Sequence, residues 1–304
     1  MITDVSPVAV AMTAVINLAF ACIAGIAAAK LWLGLTNQLA SAQSLNDGMP
    51  LGWLAVAGAA LVLLLDQAAQ LSETAMLASW ETAAVLATQT FSGRASASVI
   101  VLALAAAVLT WRRSAVIRLA LLCFAVATAM RSAMGHAGDN GALSLAVLVE
   151  WSHLAAMSLW VGCVIVSGWV VLPALARSRT PSDASGAADL VRRYAARLST
   201  WASAALATIA LSGVFNTDRV LERYADLFDT DYGKLLLAKI TLVVVALCLG
   251  GVNRMWGMPA LARDPVDSGL RQFIVILKAE AFVLTAVVIL AAILTNVSAY
   301  GSGE

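Results

Sequence analysis

The chain has 304 residues, 61% of them hydrophobic and only 12% charged, with a formal net charge of +1 and a mean hydropathy of +0.88. That balance excludes a soluble globular domain, and the lack of a basic surplus argues against a nucleic-acid binder. The apolar residues fall into runs of about 20, the length a helix needs to cross about 30 Å of hydrocarbon, and no alternating barrel strands are visible. The sequence therefore predicts an all-α integral membrane protein whose first partner is the lipid bilayer.

The hydropathy pattern predicts eight spans. Span 1 covers about 8–33 and is too long, without a basic leader, for a cleaved signal. Span 2 covers about 51–71, entered through a polar loop from Ser41 to Pro50. Residues 72–90 carry Glu73, Glu81 and several Ser and Thr, so they read as an extracytoplasmic amphipathic helix, with a further span as the alternative. Span 3 (about 95–111) and span 4 (about 118–135) are joined by the short turn around Arg112 and Arg113, which implies antiparallel neighbours. Span 5 lies at about 144–173, span 6 at 197–216, span 7 at 233–254 and span 8 at 272–297.

Lys30, the Arg112/Arg113/Arg118 turn, the loop with Arg177, Arg179, Arg192, Arg193 and Arg197, and the connection with Arg254, Arg263 and Arg271 alternate with neutral or acidic loops. The positive-inside rule then places both termini outside the cytoplasm. The whole chain forms one polytopic domain with two four-helix halves, about 1–140 and 141–304. Thr90-Phe91-Ser92-Gly93-Arg94 and Thr230-Asp231-Tyr232-Gly233-Lys234 open comparable spans in each.

Both histidines, His136 and His153, fall at the same predicted depth, about 27–30 Å from the cytoplasmic boundary. Glu150, His153 and Met157 share a helix face by their spacing of three and four, and Met134 and Met130 lie close to His136 in sequence. Imidazole, thioether and carboxylate together suit copper: Met favours Cu(I), carboxylate favours Cu(II), and His serves both. The expected metal site thus joins His136, His153, Met134, Met157, Glu150 and Met130 between spans 4 and 5, facing outward. Packing is the competing role for each methionine.

Other polar residues inside spans are functional or structural candidates, because an ionised group in hydrocarbon costs several kcal/mol unless paired or hydrated. Arg131 is expected to pair with Glu150 and brace the two histidine helices. Lys239 and Glu280 lie at different depths and are given separate roles. Asp66 is either functional or reaches the interface. Trp32, Trp111, Trp151 and Trp256 read as interfacial belts, whereas Trp160, two turns below His153, lines a cavity or packs. Cys22, Cys123, Cys163 and Cys248 have no metal-ligand spacing and read as small buried thiols.

Several motifs resemble the CopD (copper-resistance protein D) family of bacterial inner-membrane proteins. They are Gly135-His136-Ala137, His153-Leu154-Ala155-Ala156 with Trp160-Val161-Gly162, Ser212-Gly213, Tyr232-Gly233-Lys234-Leu235-Leu236 with Lys239, Asn253-Arg254, and Leu270-Arg271 with Glu280. The likeness is firmest over 130–297. Two departures are Cys163, where the family has a second glycine, and the loosened basic stretch Tyr194-Ala195-Ala196-Arg197. The resemblance implies copper movement from periplasm to cytoplasm, in concert with a small periplasmic copper-binding protein, and no enzymatic activity. Arg254, Asn253 and Cys163 join the residues of the pathway or its frame. No P-loop is present, so movement would follow a gradient or exchange with protons. The competing readings are a haem protein with His136 and His153 as axial ligands, and a copper-delivery factor that does not translocate. The leading reading involves no haem.

Overall fold

A computed structural model describes residues 6–34, 40–112, 117–135, 141, 144–177, 184–220, 225–264 and 268–297. The described residues are almost entirely helical: α1 Pro7–Trp32, α2 Ala40–Ser72, α3 Trp80–Gln89, α4 Phe91–Arg112, α5 Ile117–Ala133, α6 Leu145–Val166, α7 Leu172–Arg177, α8 Ala184–Val220, α9 Asp226–Asp229, α10 Asp231–Val252, α11 Met258–Arg263 and α12 Ser268–Asn296. The chain is an all-α membrane protein. Seven helices are long and apolar enough to cross a bilayer. The eighth expected span corresponds to α5, which is described over 17 residues, about 26 Å.

Several boundaries differ from the sequence expectation for physical reasons. The polar stretch 41–50 is helical as part of α2, with Pro50 inside the helix. Most of the basic loop before span 6 is helical too. Its charges line the first turns of α8, where Asp189 pairs with Arg192 and Arg193. Helix α3 is only 10 residues long, about 15 Å, so residues 72–90 do not form a further span. Trp80 and Val85 of α3 are exposed while Ala83 and Leu86 are buried, which fits a helix lying across the ends of α2 and α4, its packing partners.

Helices α1 and α6 form the centre. Their backbones meet at Gly25 and Gly162: a side chain at Gly25 would run into the Gly162 carbonyl, and one at Gly162 into that of Ala21. Without a hydrophobic drive between helices in lipid, such small-residue contacts supply the close packing. Around this seam α2 packs on α1 and α4, α8 on α6, and α12 on α1, α6 and α10. Phe20 makes edge-to-face contacts with Trp53 and Phe124 on the other side of α1.

Two stretches share one design. Leu145–Arg177 and Asp231–Arg263 are each 33 residues long and both end in Pro-Ala-Leu-Ala-Arg, at Pro173 and Pro259. Each contains a five-residue π-turn, Ser167–Val171 and Asn253–Gly257. A proline inside a helix clashes with the carbonyl four residues back and removes a donor, and a widened turn upstream relieves both. Each π-turn starts at a buried polar residue. Ser167 Oγ lies 2.8 Å from Tyr194 Oη, and Asn253 Nδ2 donates to the Phe273 carbonyl at 3.4 Å. Asn253 Oδ1 is buried without a donor among the described residues.

The Thr-x-x-Gly echo also has a matched geometry. Thr90 and Thr230 each end one short helix and cap the next, accepting from the backbone N–H of Gly93 (3.0 Å) and Gly233 (2.9 Å). Lys30, Arg112, Arg177, Arg192, Arg193, Arg197, Arg263 and Arg271 gather toward one end of the bundle, while Glu73, Glu81, Asp226, Asp229 and Asp231 lie toward the other.

Candidate metal site

The polar stripe of α6 faces α8. Glu150 Oε2 accepts from Asn216 Nδ2 at 2.7 Å, and His153 Nδ1 lies 2.9 Å from Ser212 Oγ. Asn216 and Ser212 are four residues apart, so they share the α8 face that meets α6. Met157 lies one turn deeper and is buried. Gly213 leaves room for the ring, its missing side chain 3.7 Å from His153 Cε1.

The hydrogen-bond network assigns the imidazole tautomer. Ser212 Oγ donates to the Thr208 carbonyl at 2.6 Å, so its one proton is used there and it accepts from His153 Nδ1–H. Nε2 then carries the free lone pair. Fixing one ring nitrogen so that the other can ligate is the usual outer-shell arrangement for a metal-binding histidine.

On the opposite side stands α10, which among the described residues packs on α12 and α9 and has no extensive contact with α6 or α8. Lys239 acts electrostatically on both Glu150 and His153, and Tyr232 and Arg219 lie within reach of Glu150 as well. Lys239 forms no ion pair within 4.0 Å among the described residues. Glu150, His153, Ser212, Asn216, Tyr232 and Lys239 thus converge between α6, α8 and α10, in the third of the bundle nearest the acidic end. Both carboxylate and imidazole are half-buried.

The expected site between spans 4 and 5 does not have this geometry in the described residues. His136 lies outside them. His153 turns away from α5, because Trp151 takes the α5-facing side of α6 by donating from Nε1 to Thr128 Oγ1 at 3.0 Å, and two residues correspond to about 200° of helix rotation. Met134 Sδ lies 4.0 Å from Ser96 Oγ of α4, and Met130 packs half-buried against the core. The expected Arg131–Glu150 pair does not form. Arg131 Nη2 reaches Thr13 Oγ1 of α1 at 3.4 Å, where Asn296 also donates (3.3 Å). Among the described residues no three His, Cys, Asp or Glu side chains converge as a ready metal cage.

The remaining candidates are spread along the bundle. Trp160 is fully buried and donates from Nε1 to Glu280 Oε1 at 3.3 Å. Cys163 is buried one turn deeper. Arg254 Nη1 bonds Ser199 (2.8 Å) and Ser203 (3.3 Å) of α8. Asp66 is buried and accepts from Gln70 at 2.8 Å, a local contact of α2. Trp111 and Trp256 are exposed as belt residues should be, whereas Trp151 is an interior donor. Sequence reasoning missed Ser212 as the histidine's partner and Asn216 as the glutamate's; their spacing of four was the available signal.

Fold and site together define a multi-pass helical membrane protein with a polar cluster of imidazole, carboxylate and amine between helices near one end. Residues 188–294, about a third of the chain, match the family model described as Copper resistance protein D, and that part of the chain is similar to the family. It is 32% identical over 162 residues to the copper transport protein CutJ of Bacillus subtilis (strain 168). That alignment takes in 53% of this chain and 27% of CutJ, so the chain spans about a quarter of this relative's length. No solved structure matches.

Proposed function

We propose that this protein carries copper across the bacterial inner membrane from periplasm to cytoplasm, admitting the ion through the cluster of His153, Glu150 and Met157. The observation that carries the reading is the His153–Ser212 bond, which uses Nδ1 and leaves the Nε2 lone pair to a ligand. Glu150, held by Asn216, supplies the negative charge that draws a cation inward, and Met157 offers a soft thioether one turn deeper. His136 is the second nitrogen ligand in this reading. Both termini face the periplasm, because the basic helix ends lie on the opposite side. A small periplasmic copper-binding protein hands over the ion at the acidic end, near Asp226, Asp229 and Asp231.

The test is copper accumulation in proteoliposomes or in cells, comparing the native chain with His153→Ala and His136→Ala. Loss of uptake in His153→Ala with normal membrane insertion is expected. Unchanged uptake in His153→Ala rules out this entry site.

A further inference from the structure

Copper entry leaves the buried acid Glu280 unused. Glu280 is 4% exposed, in the middle of α12. Its sole hydrogen-bond donor among the described residues is the Trp160 indole, and Gly250 of α10 lies against the carboxyl, a side chain there meeting Oε1 at 3.3 Å. No cation faces it. Among the titratable groups of the elements packed on α12, Lys239 lies about 16 Å nearer the outer end, and Arg254 is engaged with Ser199 and Ser203. Lys278, on α12 itself, rests 4.4 Å from the Trp169 ring, and Arg263 bonds the Pro259 carbonyl. Lys30, Arg177, Cys22, Cys163 and Cys248 exert no interaction on it.

An ionised carboxylate with one neutral donor and no cation is too costly to keep at mid-membrane, so the resting form is the neutral acid. The helices that follow the two repeated stretches also differ in chemistry at one matched position. Tyr194 follows Ser167 by the same 27 residues as Glu280 follows Asn253. Tyr194 closes on Ser167 within its own hairpin, whereas Glu280 reaches across to Trp160 of the other. Along α6, His153, Trp160 and Ser167 recur every seven residues and so share a face, giving polar groups at about 10 Å intervals from the outer cluster inward.

We propose that Glu280 is the proton-carrying group that couples this protein to the proton gradient, exchanging one proton outward for each cuprous ion admitted. This rests on the transport reading above. As the ion crosses the same low-dielectric segment, its charge expels the proton: the Glu280 O–H bond breaks and the proton passes to water at the periplasmic mouth. As the ion leaves, the carboxylate takes a proton from cytoplasmic water. No electrons move, and the charge at mid-membrane stays constant through the cycle.

The test uses the full chain in proteoliposomes of known orientation, with membrane potential clamped and cuprous ion held reduced by ascorbate. With the cytoplasmic side acid by one pH unit, exchange of one proton per ion changes the equilibrium accumulation ratio about tenfold. Glu280→Gln is expected to keep downhill copper entry and to lose this dependence, and Trp160→Phe to keep both with altered rate. Full gradient dependence in Glu280→Gln, or stimulation by the opposite gradient, overturns the proposal. An infrared pH titration of the purified protein separates the two readings, because it needs no transport. If copper does not move at all, a reversible protonated-carboxyl band absent from Glu280→Gln still supports Glu280 as the exchangeable proton site. Absence of that band in the native protein overturns it.

Discussion

His153 and Lys239 occupy the same position, the ninth residue, of the two 33-residue stretches Leu145–Arg177 and Asp231–Arg263, and they face one another across the space between α6 and α10. One repeat presents an imidazole and the other a lysine amine, with Glu150 one helical turn from His153 and within electrostatic reach of Lys239. The lysine therefore acts on Glu150 electrostatically without closing on it as an ion pair among the described residues. On the proposed function, an incoming copper ion competes with that charge, which weakens binding and eases release.

Lys239→Gln removes the competing charge while keeping a polar side chain of similar length. Copper is expected to bind more tightly by about 1 kcal/mol, roughly fivefold, for charges separated near a partly hydrated surface. Titration of the purified protein against a chromophoric copper chelator measures this. Weaker binding in the variant would mean that Lys239 supports the site instead of opposing it.

Ser212→Ala leaves the His153 ring without its Nδ1 acceptor, so the ring and its tautomer are no longer fixed. Loss of such an outer-shell partner costs about 10–100-fold in metal affinity. The same chelator competition should show the loss, with helicity unchanged. Equal affinity in Ser212→Ala and native protein would place the free lone pair elsewhere.

The fold was largely legible because membrane spans need long apolar runs, and seven of the eight expected spans match a helix long and apolar enough to cross a bilayer. Less legible were helix lengths at polar ends: the stretches 41–50 and 184–196 look like loops by composition, yet helical hydrogen bonding tolerates polar and charged residues once they lie beyond the hydrocarbon. The site was half legible. Spacing of three and four placed Glu150, His153 and Met157 on one stripe, but depth alone could not say which neighbour that stripe faces. Equal depth of His136 and His153 suggested α5, while the rotation set by Trp151 turns the stripe to α8. Lys239 was legible as a charged residue in a span, but its place opposite His153 emerges only when the two hairpins are laid side by side.

The seam at Gly25 and Gly162 predicts a stability defect separate from any effect on copper. Gly162→Ala forces a methyl group into the Ala21 carbonyl of α1, and neither backbone can yield without opening the central packing. Overpacking of this kind costs about 1–3 kcal/mol or more. A lower melting temperature in detergent, with Gly58→Ala as the control because that site has open space, is the expected result. Equal melting temperatures would show that α1 and α6 can part at little cost.

The two threonine corners give the last prediction. Gly93 and Gly233 each sit three residues into a helix, pressed against the end of the preceding one: a side chain at Gly93 meets the Leu86 carbonyl, and one at Gly233 meets the Asp226 carbonyl and Leu227. Alanine at either position must push the short helix away and strain the Thr90 or Thr230 cap, which is itself worth about 1 kcal/mol. The corners differ in what they support: α3 packs on α2 and α4, whereas α9 packs on α10 beside the proposed entry. Gly93→Ala should therefore lower thermal stability with little change in copper affinity, while Gly233→Ala should lower stability and tighten copper binding, because it shifts the helix that carries the competing Lys239. Paired melting and chelator titrations on the two variants distinguish them, and identical behaviour in both assays would separate the α9–α10 corner from the metal site.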